Sequence, residues 1–268
     1  MRQGVALVTG AGRGIGAAVS VALAGAGHDV GLVARTERQL LDVAGDVERA
    51  GGRAHVVVCD VTRPQAVAAA CADIEDTLGP IEVLVNNAGT AGPESRLADV
   101  DPEAWWQAVE TNLRGPMLFC RSLVAHMIER GSGLIVNMNS LAATGALPDQ
   151  SAYVVSKAAL ARFTDTLAAE LAGTSVHVVD VSPGLVRTAM TSGDQTLAGL
   201  PDTAWTPVAR VAELIVSLAS GMPSTLSGRF LHAAVDHPDA LAELVRSAPD
   251  ARRLRLVLGG SEDPLSPG

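Results

Sequence analysis

The sequence contains a single tyrosine and a single lysine, which stand four residues apart as Tyr153 and Lys157. In a predicted helix over Ala152–Leu171, this spacing places both side chains on one face, one turn apart. A phenol with an ordinary pKa of about 10 is a poor base at neutral pH, but an adjacent ammonium group stabilises the phenolate and lowers that pKa. Ser140 ends a predicted strand, where its hydroxyl could hydrogen-bond a substrate oxygen. These residue types indicate proton transfer at an oxygen atom.

A glycine-rich segment follows the first predicted strand and leads directly into a helix. It reads Thr-Gly-Ala-Gly-Arg-Gly-Ile-Gly from position 9 to position 16. Glycines let a backbone approach a pyrophosphate closely, and a helix N-terminus supplies unpaired N–H groups and positive potential. At this place in an α/β chain the pattern is typical of dinucleotide binding, although it also fits a plain turn. The expected binding residues are Thr9, Gly10, Gly12, Arg13, Gly14, Ile15 and Gly16.

The end of the second predicted strand indicates which dinucleotide would bind. An NAD site usually offers a carboxylate here to the ribose 2′-hydroxyl, whereas an NADP site offers arginine to the 2′-phosphate. This strand ends Val-Ala-Arg-Thr, with Arg35 in place and no acid before Glu37. Arg13 could reach the same phosphate. The sequence therefore favours NADP(H), while NAD(H) stays open as the alternative and Arg35 could be a plain surface residue.

Two further strand ends carry residues that suit the same ligand. Asp60 and Val61 follow the third predicted strand, where the aspartate could accept a hydrogen bond from an adenine amino group or could cap the next helix. The fourth strand ends in Asn-Asn-Ala-Gly, whose amides could tie strand ends together while the small residues leave room for a cofactor. Asn87, Ala88 and Gly89 are therefore expected on the floor of a dinucleotide crevice, although the segment alone is an ordinary turn.

Short apolar runs alternate with longer Ala/Leu-rich segments, and this alternation predicts the elements that position these residues. The predicted strands are Val5–Val8, Val30–Val33, His55–Cys59, Ile81–Val85, Leu134–Met138, Val176–Val181 and Arg229–Ala233. Their near-continuous apolar character is typical of parallel strands buried on both faces. The predicted helices are Ile15–Ala26, Glu37–Ala50, Pro64–Leu78, Pro102–Arg130, Ala152–Leu171 and Pro207–Ser220.

This alternation predicts an α/β fold, a single doubly wound Rossmann-type domain with a parallel sheet of about seven strands flanked by helices. Ligands of such folds bind at the carboxyl ends of the strands. We expect the domain to cover residues 1–235 and a short C-terminal extension to cover residues 236–268. The extension should contain a helix over Asp239–Arg246 and a strand over Leu254–Leu258 before a frayed tail.

Composition argues against several classes of partner. The formal net charge of −9 disfavours non-specific binding to nucleic acid or to an anionic membrane surface. No apolar run approaches the roughly 18–20 residues of a transmembrane helix. Because the N-terminus enters a predicted strand at once, we expect no signal peptide. Cys59, Cys71 and Cys120 are odd in number and widely spaced. They are interpreted as reduced packing residues of a cytoplasmic protein that has no metal site.

Taken together, the motifs resemble those of the classical short-chain dehydrogenase/reductase family, from roughly Val5 to Ala233. The glycine-rich segment matches the family's Thr-Gly-x-x-x-Gly-x-Gly loop, and Asn86–Gly89 matches its Asn-Asn-Ala-Gly element. The residues that match its catalytic tetrad are Asn112, Ser140, Tyr153 and Lys157. The residues that match the segment holding the nicotinamide end of the cofactor are Pro183, Gly184, Val186 and Thr188.

The resemblance implies reversible hydride transfer between NAD(P)(H) and a carbonyl/alcohol pair, without a metal. Tyr153 would be the general acid/base, and Ser140 would position the carbonyl. Lys157 would bind the nicotinamide ribose and lower the pKa of the tyrosine, while Asn112 would hold a water in the proton relay. The alternatives are an NAD-dependent alcohol dehydrogenase of the same family and a non-catalytic dinucleotide-binding module on the same fold.

Two departures from the family pattern stand out. Asn137-Met138-Asn139 precedes Ser140 where many relatives have Ser-Ser, and the usual acidic-Gly-Gly ending is replaced by the C-terminal extension. We expect a homo-oligomer, a dimer or a tetramer, that uses the helices Pro102–Arg130 and Ala152–Leu171.

Three loops are expected to enclose a small-molecule substrate: Thr90–Val100, Leu141–Gln150 and Val186–Trp205. The apolar residues that they contribute include Leu141, Leu147, Met190, Leu197, Leu200 and Trp205. Arg96 and Arg187 are the basic residues of these loops, and each is interpreted as an isolated surface residue. This composition favours a neutral, fairly apolar ketone, aldehyde or secondary alcohol.

Overall fold

A sheet of seven parallel strands confirms the predicted α/β fold. The computed structural model describes residues 3–192, 197 and 199–254. The strands are β1 (Val5–Thr9), β2 (Asp29–Ala34), β3 (Ala54–Val58), β4 (Ile81–Asn86), β5 (Gly133–Met138), β6 (Val176–Ser182) and β7 (Phe230–His232). The α-helices are α1 (Gly14–Gly25), α2 (Glu37–Arg49), α3 (Pro64–Leu78), α4 (Pro102–Val109), α5 (Gly115–Arg130), α6 (Ser151–Glu170), α7 (Val208–Ala219) and α8 (Pro238–Ser247).

The strand order β3-β2-β1-β4-β5-β6-β7 creates a switch point between β1 and β4. From β1 the chain builds outward through β2 to β3, then returns to the other side of β1 and builds outward again. Loops that leave the two central strands therefore diverge to opposite sides, which opens a crevice at the carboxyl ends of β1 and β4.

Two apolar layers hold the helices against the sheet. One layer packs α1, α2, α7 and α8 on one face, with Leu23, Leu40 and Ile215 among its fully buried side chains. The other packs α3, α5 and α6 on the opposite face, with Ile74 and Phe119 at its centre. Helices on both faces explain why the central strands read as continuous apolar runs.

Two elements differ from their predicted form. The predicted helix Pro102–Arg130 is interrupted by a π-helical turn at Glu110–Arg114, which inserts a residue that an apolar period of 3.6 does not reveal. β3 was expected to be buried on both faces, but it lies at the edge of the sheet, and Val58 is 54% exposed. One strand neighbour instead of two explains that exposure.

The C-terminal extension packs along the free edge of β7. Its predicted helix is present as α8, and the backbone N–H of Phe230 donates to the carbonyl oxygen of Arg252 at 2.9 Å. The Arg252 guanidinium also pairs with the buried carboxylate of Asp236 at 2.7 Å. Of the strand expected over residues 254–258, Leu254 is in no strand, and the rest lies outside the described residues.

Candidate active site

Hydrogen bonds between β1 and β4 hold the two predicted cofactor loops together at the switch point. The hydroxyl oxygen of Thr9 accepts from the backbone N–H groups of Asn87 and Ala88 at 2.9 and 3.0 Å. In return, the side-chain amide of Asn87 donates to the carbonyl oxygens of Thr9 and Gly10 at 2.9 and 3.2 Å. The glycine-rich segment is therefore fixed against the Asn-Asn-Ala-Gly segment.

The glycine-rich segment is packed so closely that side chains would not fit in it. A Cβ atom on Gly16 would stand 2.3 Å from the carbonyl oxygen of Gly10 and 2.5 Å from Nδ2 of Asn87. Gly10 and Gly14 have φ angles of +63° and +58°, a region that L side chains rarely adopt. A Cβ on Gly12 would meet the side chain of a residue of α2 at 3.0 Å. At these glycine positions the cradle is therefore formed by backbone atoms.

The start of α1 adds the electrostatics that a pyrophosphate needs. Because α1 begins at Gly14, the N–H groups of Gly14, Ile15 and Gly16 belong to its first turn and have no carbonyl partner within the helix. Arg13 stands at the N-cap and is exposed. The cradle and the positive helix end together fit the diphosphate of a dinucleotide.

Arg35 and Asp60 lie at the ends of the neighbouring strands β2 and β3. The Asp60 carboxylate oxygen Oδ1 accepts from the backbone N–H and the hydroxyl of Thr62 at 3.0 and 2.8 Å. These bonds, with smaller contributions from the nearby charges of Arg35 and another arginine, lower the pKa of Asp60. Arg35 is exposed, while Val61 is buried against α5. Asp60 thus stabilises the turn that precedes α3 and does not serve as its N-cap.

The segment after β6 folds back over the glycine-rich segment. In this segment Pro183 is followed by Gly184, whose φ is +75°. A Cβ atom added at Gly184 would stand 2.2 Å from the hydroxyl oxygen of Thr206, so only glycine fits there. Val186 is buried, and Thr188 lies next to Gly14, with its methyl group 3.6 Å from the position of a Cβ there. This segment therefore borders the crevice beside the start of α1.

Tyr153, Lys157 and Ser140 come together where α6 begins, beside the end of β5. The Lys157 ammonium group is buried, donates to the carbonyl oxygen of Met138 at 2.7 Å and lies 5.8 Å from the centroid of the Tyr153 ring. Burial raises the pKa of Tyr153, and the nearby polar side chain of Ser140 only partly opposes that shift. Burial also lowers the pKa of Lys157 to about 8. Because its pKa is raised, the Tyr153 phenol is protonated at neutral pH in this structure.

Asn112 lies fully buried in the π-helical turn. Its Oδ1 accepts from the backbone N–H of Thr90 at 2.9 Å, and its Nδ2 donates to the carbonyl oxygen of Thr90 and to the hydroxyl of Ser156 at 2.8 and 3.0 Å. Both side-chain N–H groups are therefore used. A Cβ on Gly89 would lie 3.2 Å from Oδ1 of Asn112 and 3.9 Å from Nζ of Lys157, so the end of β4 meets both residues.

A chain of buried polar side chains beneath Lys157 was missed from the sequence. Asn86 donates to Asn137 at 2.8 Å, Asn137 donates to the Thr164 hydroxyl at 2.9 Å, and that hydroxyl donates to the Asp180 carboxylate at 2.9 Å. The signal that could have revealed it is the acidic Asp180 in the middle of the apolar run Val176–Ser182. Asn137 and Asn139, noted as departures from the family pattern, stand close to the same carboxylate.

A cavity of about 380 Å³ adjoins the segment after β6. Its described lining residues are Arg187, Thr188, Ala189, Thr191, Ser192, Leu197 and Trp205. Arg187 is exposed, as expected of a surface residue, and its guanidinium lies 4.4 Å from the ring centroid of Trp205 and pairs with Asp202. Residues 193–196 and 198 of the expected substrate loop lie outside the described residues.

The described part of the chain offers no cluster of three metal-binding side chains. Cys59, Cys71 and Cys120 are free and buried, and burial raises their thiol pKa values to about 11, about 12 and about 12. None of the described helices combines the length and apolar character that a membrane crossing needs.

Comparison with known sequences gives a match to the family model described as short chain dehydrogenase, over residues 4–196. A short chain dehydrogenase of Pseudocercospora fijiensis (strain CIRAD86) is 39% identical over 196 residues, a match that covers 72% of this chain and 62% of that protein. The matched part of this chain thus spans less than two thirds of that relative's length.

Two solved structures resemble this one over most of their length. A variant of the actinorhodin polyketide ketoreductase with NADPH has a TM-score of 0.80 and 32% identity, covering 87% of this chain and 97% of that chain. An NAD⁺-bound xylitol dehydrogenase has a TM-score of 0.79 and 26% identity, covering 86% and 97%. Both nicotinamide dinucleotides therefore occur among structures that this chain resembles.

The close packing at Gly16 predicts the outcome of a single added methyl group. Gly16→Ala should force the glycine-rich segment and Asn87 apart, at a cost of about 1–3 kcal/mol, and should weaken dinucleotide binding by about one to two orders of magnitude. The matched control is Gly25→Ala in the same helix, where a Cβ meets nothing within 4 Å. Fluorescence titration with NADPH and NADH measures both, and wild-type affinity in Gly16→Ala would contradict this account of the cradle.

Proposed function

The chain belongs to the short-chain dehydrogenase/reductase family, and from that premise we propose that it is an NADP(H)-dependent oxidoreductase acting on a small, fairly apolar carbonyl compound or secondary alcohol. The observation that carries the proposal is the meeting of Tyr153, Lys157 and Ser140 at the sheet edge that also holds the glycine-rich cradle. When bound, the nicotinamide donates or accepts the hydride. Proton transfer and orientation fall to the side chains of this chain.

Tyr153 is the proposed acid and base. In the reducing direction its phenol donates a proton to the substrate oxygen, and in the oxidising direction its phenolate removes that proton. The raised pKa of Tyr153 favours the protonated form needed for reduction. For oxidation, the positive charge of Lys157 and of the oxidised cofactor must stabilise the phenolate. Ser140 orients the substrate oxygen through its hydroxyl.

Asn112 supports a proton relay by its place in the fold. Because Thr90 and Ser156 use both of its side-chain N–H groups, we propose that its backbone carbonyl in the π-helical turn holds the relay water. A π-helical turn disturbs the regular backbone hydrogen bonding of the helix, as is frequent at functional sites.

The preference for NADP(H) rests on charge at the adenosine end of the crevice. Arg35 at the end of β2 and Arg13 at the N-cap of α1 are both exposed, and Ala34 stands where an NAD site usually has an acid. NAD(H) remains the alternative, since the two resembling structures hold one dinucleotide each.

The proposed substrate class follows from the cavity beside Thr188. Its arginine, Arg187, is already paired with Asp202 and stacked on Trp205, which supports a neutral substrate over an anionic one. The free, buried cysteines support work in a reducing compartment, the cytoplasm.

We further propose that the chain forms a homo-oligomer through α4, α5 and α6. These helices and the π-helical turn border an apolar groove of about 630 Å³ that includes Leu113, Met117 and Phe163. Trp106 at its rim is 58% exposed. A large apolar surface of this kind favours a partner, and a second copy paired across a twofold axis would cover both grooves at once.

Removing Arg35 tests the cofactor preference. A charge-assisted hydrogen bond contributes roughly 1.5–3 kcal/mol, so Arg35→Ala should weaken NADPH binding by about one to two orders of magnitude and leave NADH binding nearly unchanged. Arg49→Ala at the far end of α2 is the matched control. Titration of both cofactors decides the matter, and tighter NADH than NADPH binding by the unmodified protein would overturn the preference.

Tyr153→Phe tests the chemistry, because it keeps the ring and removes only the hydroxyl. Turnover should fall by about 10²–10⁴-fold, while the fold and cofactor affinity survive. Val155→Ala, an exposed position on the same helix, is the control that should keep full turnover. The assay follows cofactor absorbance over a panel of apolar ketones, aldehydes and secondary alcohols. Unchanged turnover in Tyr153→Phe would reopen the alternative of a non-catalytic binding module.

Light scattering tests the assembly. The unmodified protein at micromolar concentration should have the mass of two or more chains, and Trp106→Arg should reduce it to one by placing a charge in the groove. Leu41→Arg, at an exposed apolar position of α2, should leave the assembly intact. A mass of one chain for the unmodified protein would reject the oligomer.

A further inference from the structure

Asp180 is an acid placed where strands are otherwise apolar. It lies in the middle of β6, is 3% exposed, and has Asn137 of β5 and Phe230 of β7 as its register partners. A carboxylate in such a place costs free energy unless hydrogen bonds and a counter-charge stabilise it. We therefore expect hydrogen-bond donors and a positive charge close to this carboxylate.

The hydrogen bonds around Asp180 favour its charged form. The Thr164 hydroxyl donates to Oδ1 at 2.9 Å, and its direction is set because that same hydroxyl oxygen accepts from Nδ2 of Asn137 at 2.9 Å. The Asn139 side chain also lies beside the carboxylate, although its Nδ2 makes no hydrogen bond of ordinary geometry with the described residues. Asp180 is thus held as an acceptor.

Lys157 lies in the same layer between α6 and the sheet. It precedes Thr164 by two helical turns, so both side chains are on the sheet-facing side of α6. Its Nζ reaches the carbonyl oxygen of Met138, the residue after the register partner of Asp180. The ammonium and the carboxylate therefore lie in the same buried layer, close enough for an electrostatic interaction between them.

The two groups act on each other's charge. Burial lowers the pKa of Lys157 to about 8, and the attraction of Asp180 opposes that shift. Burial raises the pKa of Asp180 to about 7, which hydrogen bonds and Lys157 oppose. The other titratable groups near them on α5 and α6, Cys120 and Tyr153, have raised pKa values and are neutral at pH 7. The facing residues of β5 and β7, Asn137 and Phe230, do not titrate.

We propose that Asp180 is a positioning residue whose buried carboxylate is the counter-charge that keeps Lys157 protonated beside Tyr153. The link to catalysis rests on the proposed function, whereas the charge of Lys157 can be measured without any turnover. Without Asp180, only the hydrogen bond to Met138 opposes the effect of burial on Lys157, and the amine loses its proton at a lower pH. A neutral amine cannot stabilise the phenolate, so alcohol oxidation should then need more alkaline conditions.

The experiment uses the fact that the sequence has one lysine. Protein labelled with ¹⁵N- or ¹³Cε-lysine gives a single side-chain NMR signal, whose pH titration reports Lys157 alone. Asp180→Asn, which keeps shape and hydrogen bonding, should lower the midpoint by about one pH unit or more. Asp29→Asn is the matched control, a buried aspartate at the start of β2 that pairs with Arg53, and should leave the midpoint unchanged. An unchanged midpoint in Asp180→Asn would overturn the proposal.

Thr164→Val provides a second variant if Asp180→Asn fails to fold. It removes the hydroxyl that favours the charged carboxylate, so the midpoint of Lys157 should fall in the same direction, and an unchanged midpoint would again count against the proposal. The pH profile of alcohol oxidation gives the catalytic readout, and in either variant it should shift to more alkaline pH. A lowered midpoint with an unshifted profile would reject the positioning role. Absence of turnover in the unmodified protein would refute the proposed function and leave the Lys157 titration standing.

Discussion

Burying one ammonium group beneath the carboxyl ends of β5 and β6 constrains every element around it. Lys157 is 6% exposed, and a charge in that position is tolerated only where acceptors and an opposite charge replace its water. Met138 supplies a carbonyl oxygen at the end of β5, and Asp180 supplies a negative charge from β6. Both depend on the register of β5 with β6, so the charge state of the site is tied to the packing of the sheet.

The same sheet edge brings the proposed cofactor cradle and the proposed proton-transfer residues together. At the switch point, hydrogen bonds between Thr9 and Asn87 join the end of β1 to the segment after β4. These bonds fix the position of the glycine-rich cradle. The segment that follows β4 contains Asn87 and also places Gly89 next to Asn112 and Lys157. A rigid parallel sheet thus brings residues from distant parts of the sequence to one crevice, and the loops themselves need only small residues there.

The predictable parts of the molecule are those encoded by local pattern. Apolar runs identified the strands, and the single tyrosine and lysine identified the face of α6 that meets β5. The π-helical turn at Glu110–Arg114 was not predictable, because one inserted residue hardly changes the apolar period. The exposure of β3 depends on strand order, which periodicity does not contain. The link from Asp180 through Thr164 to Asn137 joins residues 16 and 27 positions apart, so it exists only after the sheet and α6 have packed.

The spatial order of the charged groups decides how they act on the phenol. Asp180 acts on Lys157, whose pKa it raises. The pKa of Tyr153, by contrast, is raised by burial and lowered in part by Ser140. A carboxylate next to the phenol would repel the phenolate, whereas a carboxylate beyond the lysine stabilises the cation without that penalty, because Coulomb interactions weaken with distance. Because Lys157 stands between Asp180 and Tyr153, the Asp180 carboxylate stabilises the lysine cation, and that cation in turn stabilises the Tyr153 phenolate. The low dielectric of the layer strengthens the near interaction with Lys157, and that interaction offsets part of the cost of burying each charge.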